Sequence, residues 1–281
     1  MTEAKPFRLA GILGWPVSHS RSPKLHGYWL ERYGIPGAYL PLGVPPDNLK
    51  DALKGLLALG FAGCNVTIPH KEKVMPLMHH LDPVARKIGA VNLIVIENGR
   101  LNGFNTDAYG FVESLRQSRP GWDAAAGPAV VLGAGGASRA VIVGLAEQGA
   151  REIRLLNRTE SRAQKLAALG GSVVRVMPWE DRAAALEGAA LLVNTTDRGM
   201  VGQSPLDLAL DRLPASALVS DLVYNPLETP LLAAAKRRGN PTVDGLGMLL
   251  HQARPAFQAW FGILPEITPE LRATIEATIP G

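Results

Sequence analysis

The chain has 281 residues, 47% hydrophobic and 19% charged, enough for a real core and, at the usual ~100–200 residues each, for two domains. A net charge of +4 with no lysine or arginine run, and aromatics at 6%, argue against a nucleic-acid surface, while a basic balance suits small anionic ligands. One cysteine, Cys64, excludes an intramolecular disulfide; with no apolar leader in MTEAKPFRLAG and no run near ~18 apolar residues, a soluble cytoplasmic protein without a membrane partner is expected.

In chain order, FRLAGILG reads as a strand and SPKLHGYWLERYGI as a helix, with Ser22 as N-cap and Pro23 at its first position. AYLPLGV is a strand, PDNLKDALKGLLALGF has helical apolar spacing, and GCNVTI is a strand halted by Pro69. Helical text resumes at Lys71 and runs through VMPLMHHL and PVARKIGA. NLIVIENGRLNGFN is a hairpin turning at Asn98-Gly99, a pair that tolerates positive φ. The alternation predicts a mostly parallel sheet, with a boundary near residue 108. A second alternating set starts at AVVLGAGGASRAVIVGLAEQGA and continues through EIRLLNR, ALLVNTT and ALVSDLVY; HQARPAFQAWFGI and TPELRATIEATI close the chain as helices.

The run VVLGAGGASRA sets Gly133, Gly135 and Gly136 between an apolar strand and a helix, with Ser138 in the third position of a G-x-G-x-x-G pattern. Glycines there allow a tight turn and bring backbone N–H groups to a pyrophosphate at a helix N-terminus, a dinucleotide reading favoured over an ordinary turn by the strand–glycine–helix order. The next strand ends at Asn157, where an NAD enzyme would carry an acidic residue for the ribose hydroxyls. Arg158, Thr159 and Arg162 stand there instead, and a guanidinium binds the 2′-phosphate that a carboxylate would repel. The residues therefore point to NADP.

Other polar residues gather near strand ends. Ser20 and Ser22 in SHSRSP would face one side in extended backbone, although Ser22 alone reads as a helix cap. Thr67 lies near the end of the GCNVTI strand and Lys71 follows it, Asn92 ends GAVN, and Asn105, Thr106 and Asp107 meet at the end of the hairpin. Gln252 sits on a helix after DGLG. The six histidines are scattered, His79 and His80 point different ways, and neither HExxH nor a G-x-S-x-G elbow is present, so neither a metal centre nor nucleophilic hydrolysis is expected. Cys64, inside an apolar strand, reads as a small core residue.

Taken together, HSRSP, NVTIPHK, GAVN, NTD, GAGGASR, NRT, NTT followed by GM, YNPLETPLL and DGLGMLLHQA resemble the shikimate dehydrogenase family, in that family's order and over nearly the whole chain. The resemblance implies reversible NADPH-dependent reduction of 3-dehydroshikimate to shikimate on the route to chorismate and the aromatic amino acids. It implies a substrate set of Ser20, Ser22, Thr67, Lys71, Asn92, Asp107, Tyr224 and Gln252, with Lys71 and Asp107 as the catalytic pair. Gly133, Ala134, Gly135, Gly136 and Ala137 would carry the pyrophosphate, Asn157 to Arg162 the adenosine phosphate, and Leu222 and Gly245 would lie at the nicotinamide end. Leu93 and Ala108 depart from the usual threonine and glycine without removing any of these contacts, and Pro83, standing where some relatives offer a polar side chain near the cofactor, is left out of the set.

The expected architecture is α/β: a substrate domain of residues 1–107 plus 241–281, and a doubly wound Rossmann-like NADP domain of residues 108–240, acting as a monomer or homodimer. The cleft between them should open and close, because hydride transfer needs dry contact. Two rivals remain: a quinate-preferring dehydrogenase, which Arg158 and the intact serine and tyrosine set oppose, and a sensor that lost catalysis, which the intact Lys71 and Asp107 oppose.

Overall fold

The computed structural model describes residues 6–279. It divides into two compact units, of which the first runs to Thr106 and takes in Gln252–Thr278, and the second is Asp107–His251.

In the first unit, β1 (Arg8–Gly14) leads through α1 (Ser22–Arg32) to β2 (Gly37–Gly43), and α2 (Leu49–Ala58) leads on to β3 (Gly63–Val66). These three strands are parallel, with β1 in the middle. Turns, β4 (His80–Leu81) and α3 (Pro83–Ile88) follow, and β5 (Leu93–Glu97) and β6 (Arg100–Phe104) complete the sheet. Its order among the described residues is β2-β1-β3-β5-β6-β4.

This sheet is mixed rather than mostly parallel. β5 runs antiparallel to both β3 and β6, and Asn98 and Gly99, at φ 51° and 71°, form the two-residue turn that joins β5 to β6 as an antiparallel pair. The region from Lys71 onward is also not one helix. Turns lead to a single 3-10 turn at Met75–Leu77, and a new helix starts only where the Asp82 carboxylate caps the N–H groups of Val84 and Ala85. Leu13, Leu53, Val66 and Ile94 fill the core of this unit. Gly63, at φ 151°, is required there: a Cβ would lie 2.0 Å from the Ile94 carbonyl oxygen and 2.4 Å from Trp260 Nε1.

The second unit begins with α4 (Asp107–Ser118). Parallel strands then alternate with helices: β7 (Ala129–Leu132), α5 (Gly136–Glu147), β8 (Ile153–Leu156), α6 (Glu160–Ala167), β9 (Val174–Met177), β10 (Leu191–Asn194), β11 (Leu218–Asp221), α7 (Pro230–Arg237) and β12 (Thr242–Val243). The order is β12-β11-β10-β7-β8-β9, and every pairing is parallel. β7, β10 and β11 are buried at every residue, as strands covered on both faces must be; β7 is apolar throughout, while β10 and β11 end in the buried polar residues Asn194, Ser220 and Asp221. β9 and β12 go unread in the sequence because one is a half-exposed edge and the other has two residues.

α8 (Gly245–Phe261) joins what reads as two segments into one helix with Pro255 inside it, and α9 (Pro269–Glu276) is capped by Thr268. The chain returns to the first unit at Gln252 rather than at residue 241, since β12 pairs with β11 and holds that stretch in the second sheet.

Candidate active site

Six of the residues expected at the substrate belong to the first unit: Ser20, Ser22, Thr67, Lys71, Asn92 and Gln252. Ser22 does not cap α1. The capping position is Arg21, in helical rather than extended conformation, and the Ser22 N–H donates to Ser20 Oγ at 3.3 Å. The Ser20 hydroxyl is therefore held against the start of α1, and the buried Ser22 hydroxyl is not consumed in a cap. Thr67 sits against the end of β1, where its methyl group lies 2.4 Å from the place a Cβ on Gly14 would take, and its N–H donates to Leu13 O at 2.9 Å.

Lys71 lies half-buried in the turns after β3, and its carbonyl accepts from Val91 N–H at 2.8 Å. That bond ties the lysine backbone to the residue before Asn92. Asn92 is itself fixed from several directions. Its Oδ1 accepts from Thr106 N–H at 2.8 Å, its Nδ2 donates to Thr106 Oγ1 at 3.0 Å, and Gln252 Oε1 is 3.5 Å from the same nitrogen. Thr106 Oγ1 also donates to the Gln252 carbonyl at 2.9 Å, so residues far apart in sequence form one network.

Two members of that network escape the sequence reading as site residues. Asn65, buried in β3, donates to Asn92 O at 3.1 Å, and Tyr39 Oη donates to Asn65 Oδ1 at 2.7 Å. The available signal is a polar side chain inside an otherwise apolar strand, since buried amides must find partners. Burial holds the Tyr39 phenol protonated, well above its ordinary range, against the opposing effect of the Ser22 hydroxyl. His26 stacks on Tyr39 with centroids 4.1 Å apart, and burial lowers it to about 3, a neutral packing residue. Burial pushes the Cys64 thiol up to about 12, consistent with an inert core group.

Asp107 and Tyr224 belong to the second unit. Asp107 opens α4, and both side chains are half-buried. Gly133 has φ +109°, and a Cβ there would meet Thr195 Oγ1 at 2.6 Å. Thr195 Oγ1 in turn donates to Leu132 O at 2.7 Å and lies 2.6 Å from Ser138 Oγ, which accepts from Gly135 N–H at 3.0 Å. Ser138 thus replaces the third glycine with a buried hydroxyl that stitches the turn to β10.

The chain reverses its strand order between β7 and β10, the place where open parallel sheets bind ligands beyond their carboxyl ends. A cavity of about 640 Å³ lies there, its lining including Gly133, Ala134, Gly135, Asn157, Arg158 and Arg162 together with Trp179, Thr195, Thr196, Asp197, Arg198 and Asp207. Asn157 Nδ2 closes its own turn on Thr159 O at 2.8 Å. Gly136, Ala137 and Thr159 are exposed and lie outside this lining. Leu222 and Gly245 are also outside it but pack on each other, a Cβ on Gly245 falling 2.2 Å from Leu222 O. Beside them the buried Asp221 carboxyl is raised to about 6: burial outweighs donation from Thr229 Oγ1, Val223 N–H and Asn194 Nδ2.

Residues 12–94 match the family profile described as the shikimate dehydrogenase substrate binding domain, and residues 117–201 match the one described as shikimate/quinate 5-dehydrogenase. A shikimate dehydrogenase (NADP(+)) of Paramagnetospirillum magneticum is 61% identical across 95% of this chain and 98% of its own length. The chain belongs to the shikimate dehydrogenase family. Among solved structures, that of the Thermus thermophilus shikimate 5-dehydrogenase in complex with NADP(H) and shikimate is similar at TM-score 0.84 and 39% identity, covering 97% of this chain and 98% of that one. A quinate dehydrogenase from Corynebacterium glutamicum in complex with NAD is similar at TM-score 0.90 and 31% identity, over 97% and 100%. The family's fold therefore serves both substrates and both coenzymes, and side chains must separate them.

Proposed function

We propose that this family member is an NADP-dependent oxidoreductase acting on a CH–OH group, and that it reduces 3-dehydroshikimate to shikimate reversibly in chorismate and aromatic amino acid biosynthesis. The observation that carries the coenzyme choice is the cavity at the switch point, where Arg158 and Arg162 line the wall and β8 is followed by Asn157 instead of a carboxylate. The glycine turn fits a dinucleotide, since Gly133 leaves no room for a side chain and Gly135 and Gly136 are open to an approaching phosphate.

When bound, the coenzyme supplies the hydride. The protein supplies binding, a positioned proton and charge stabilisation. Ser20 and Ser22 hold the substrate carboxylate, and Asn92, Thr67, Gln252 and Tyr224 take its hydroxyls. The Lys71 ammonium hydrogen-bonds the oxygen at the reacting carbon, stabilises negative charge developing there in the ketone direction, and moves its proton as the C–O bond changes order. Asp107 orients that ammonium. A cytoplasmic location and assembly as a monomer or homodimer belong to the same proposal; among the described residues no helix is long and apolar enough to cross a membrane.

Initial rates with shikimate or quinate, each with NADP or NAD, test this reading. Shikimate with NADP should be the fastest pair, and Lys71→Ala should lower kcat by ~10²–10⁴-fold while Michaelis constants move little. No nicotinamide absorbance change with shikimate and NADP, or full turnover by Lys71→Ala, would refute it.

A further inference from the structure

We propose that Arg198 is a third guanidinium for the adenosine 2′-phosphate, an assignment that rests on the NADP reading above and extends it. The lined cavity runs from the glycine turn to the residues after β8 expected at the adenosine phosphate. It takes in Asn157, Arg158 and Arg162 after β8 together with Gly133, Ala134 and Gly135 of the pyrophosphate turn, and leaves out Leu222 and Gly245 at the nicotinamide end. The 2′-phosphate is the strongest anion at the adenosine end.

Arg198 lines this cavity from the turn after β10. β10 lies beside β7 on the flank away from β8, so the turn after β10 and the turn after β8 bracket the glycine turn. The base of Arg198 is rigid. Its N–H donates to Thr196 Oγ1 at 3.1 Å and its carbonyl accepts from Asn194 Nδ2 at 3.1 Å. Asn194 is fully buried; its Oδ1 accepts from Thr196 N–H at 3.0 Å and its Nδ2 also donates to Asp221 Oδ1 at 2.9 Å. Gly199, at φ +90°, then turns the chain away.

The half-buried side chain is spent on no internal partner: among the described residues no carboxylate stands in ion-pair contact with its guanidinium. Neighbouring cations differ. Arg154 is held by Glu152 at 2.9 Å, and Arg182 by Asp207 at 2.7 Å, which also occupies the Asp207 carboxylate on the cavity wall. An exposed Asp197 is the remaining acid there. A guanidinium on a fixed stem, lining the same cavity as Arg158 and Arg162, suits a dianionic phosphate that takes paired N–H donors.

Calorimetric titration of the full chain with 2′,5′-ADP, 5′-ADP and 5′-AMP tests the assignment, without reference to turnover. Arg198→Gln should weaken 2′,5′-ADP about tenfold or more and 5′-AMP less than about twofold, with an unchanged thermal midpoint. Equal affinities for 2′,5′-ADP in the variant and parent would overturn it, as would a loss as large for 5′-ADP or 5′-AMP, which would move Arg198 to another part of the nucleotide. Arg158→Gln runs alongside. If it weakens 2′,5′-ADP and Arg198→Gln does not, only the Arg198 assignment fails; if neither does, the NADP reading fails with it.

Discussion

Gly133→Ala addresses the glycine turn directly. A non-glycine residue at φ +109° sits in a sparsely populated region and carries ~1–3 kcal/mol of strain. Its Cβ would also stand 2.6 Å from Thr195 Oγ1 and 2.9 Å from Thr196 Cγ2, inside ordinary contact distance. Thr195 cannot retreat without giving up Leu132 O and Ser138 Oγ, the bonds that stitch β10 to the turn. A loss of roughly 2–4 kcal/mol follows, or roughly 3–7 °C in the melting midpoint. Moving the turn should also misplace at least one backbone N–H aimed at phosphate, about 1.5–3 kcal/mol or roughly 10–100-fold in Kd for NADP. Thermal unfolding and calorimetry measure both. Thr195→Ala in the same chain removes the oxygen that is struck, so the double variant should melt above the value expected from adding the two single losses. A Gly133→Ala protein that melts and binds NADP like its parent, or strictly additive losses, would refute the steric account.

Two further outcomes follow from buried groups. Tyr39→Phe leaves Asn65 Oδ1 without its buried donor, which should cost about 1–3 kcal/mol of stability and raise the Michaelis constant for shikimate several-fold. It should leave that for NADP unchanged, and an unaltered shikimate constant in the folded variant would end Tyr39's role in positioning Asn92. Asp221 binds its proton more tightly folded than unfolded, with a folded value of about 6, so its contribution is full in acid, falls as pH rises from about 4 to 6, and stays lost above. The shift corresponds to about 3 kcal/mol, so Asp221→Asn should gain on its parent in urea unfolding between pH 4.5 and 7; a constant gap across that range would contradict the assignment.

Much of this protein is written locally. The strand–glycine–helix order, the arginines after β8, the Asn98–Gly99 turn and the buried parallel strands are short-range patterns, because turn chemistry and strand burial depend on residues adjacent in sequence. The family motifs likewise name Lys71, Asp107 and their companions without a fold. Tertiary structure decided what depends on distant partners. Ser22 lost its capping role to a bond with Ser20, the first sheet became mixed when β3 paired with β5, and the helix predicted from Lys71 gave way to turns. Tyr39, Asn65, Asn92, Thr106 and Gln252 join only after strands and a returning helix bring them together. Arg198 becomes a candidate ligand only because β10 folds in beside β7. Periodicity and propensity act over a few residues, whereas hydrogen-bond satisfaction in a buried site is settled by chain segments that sequence does not place side by side.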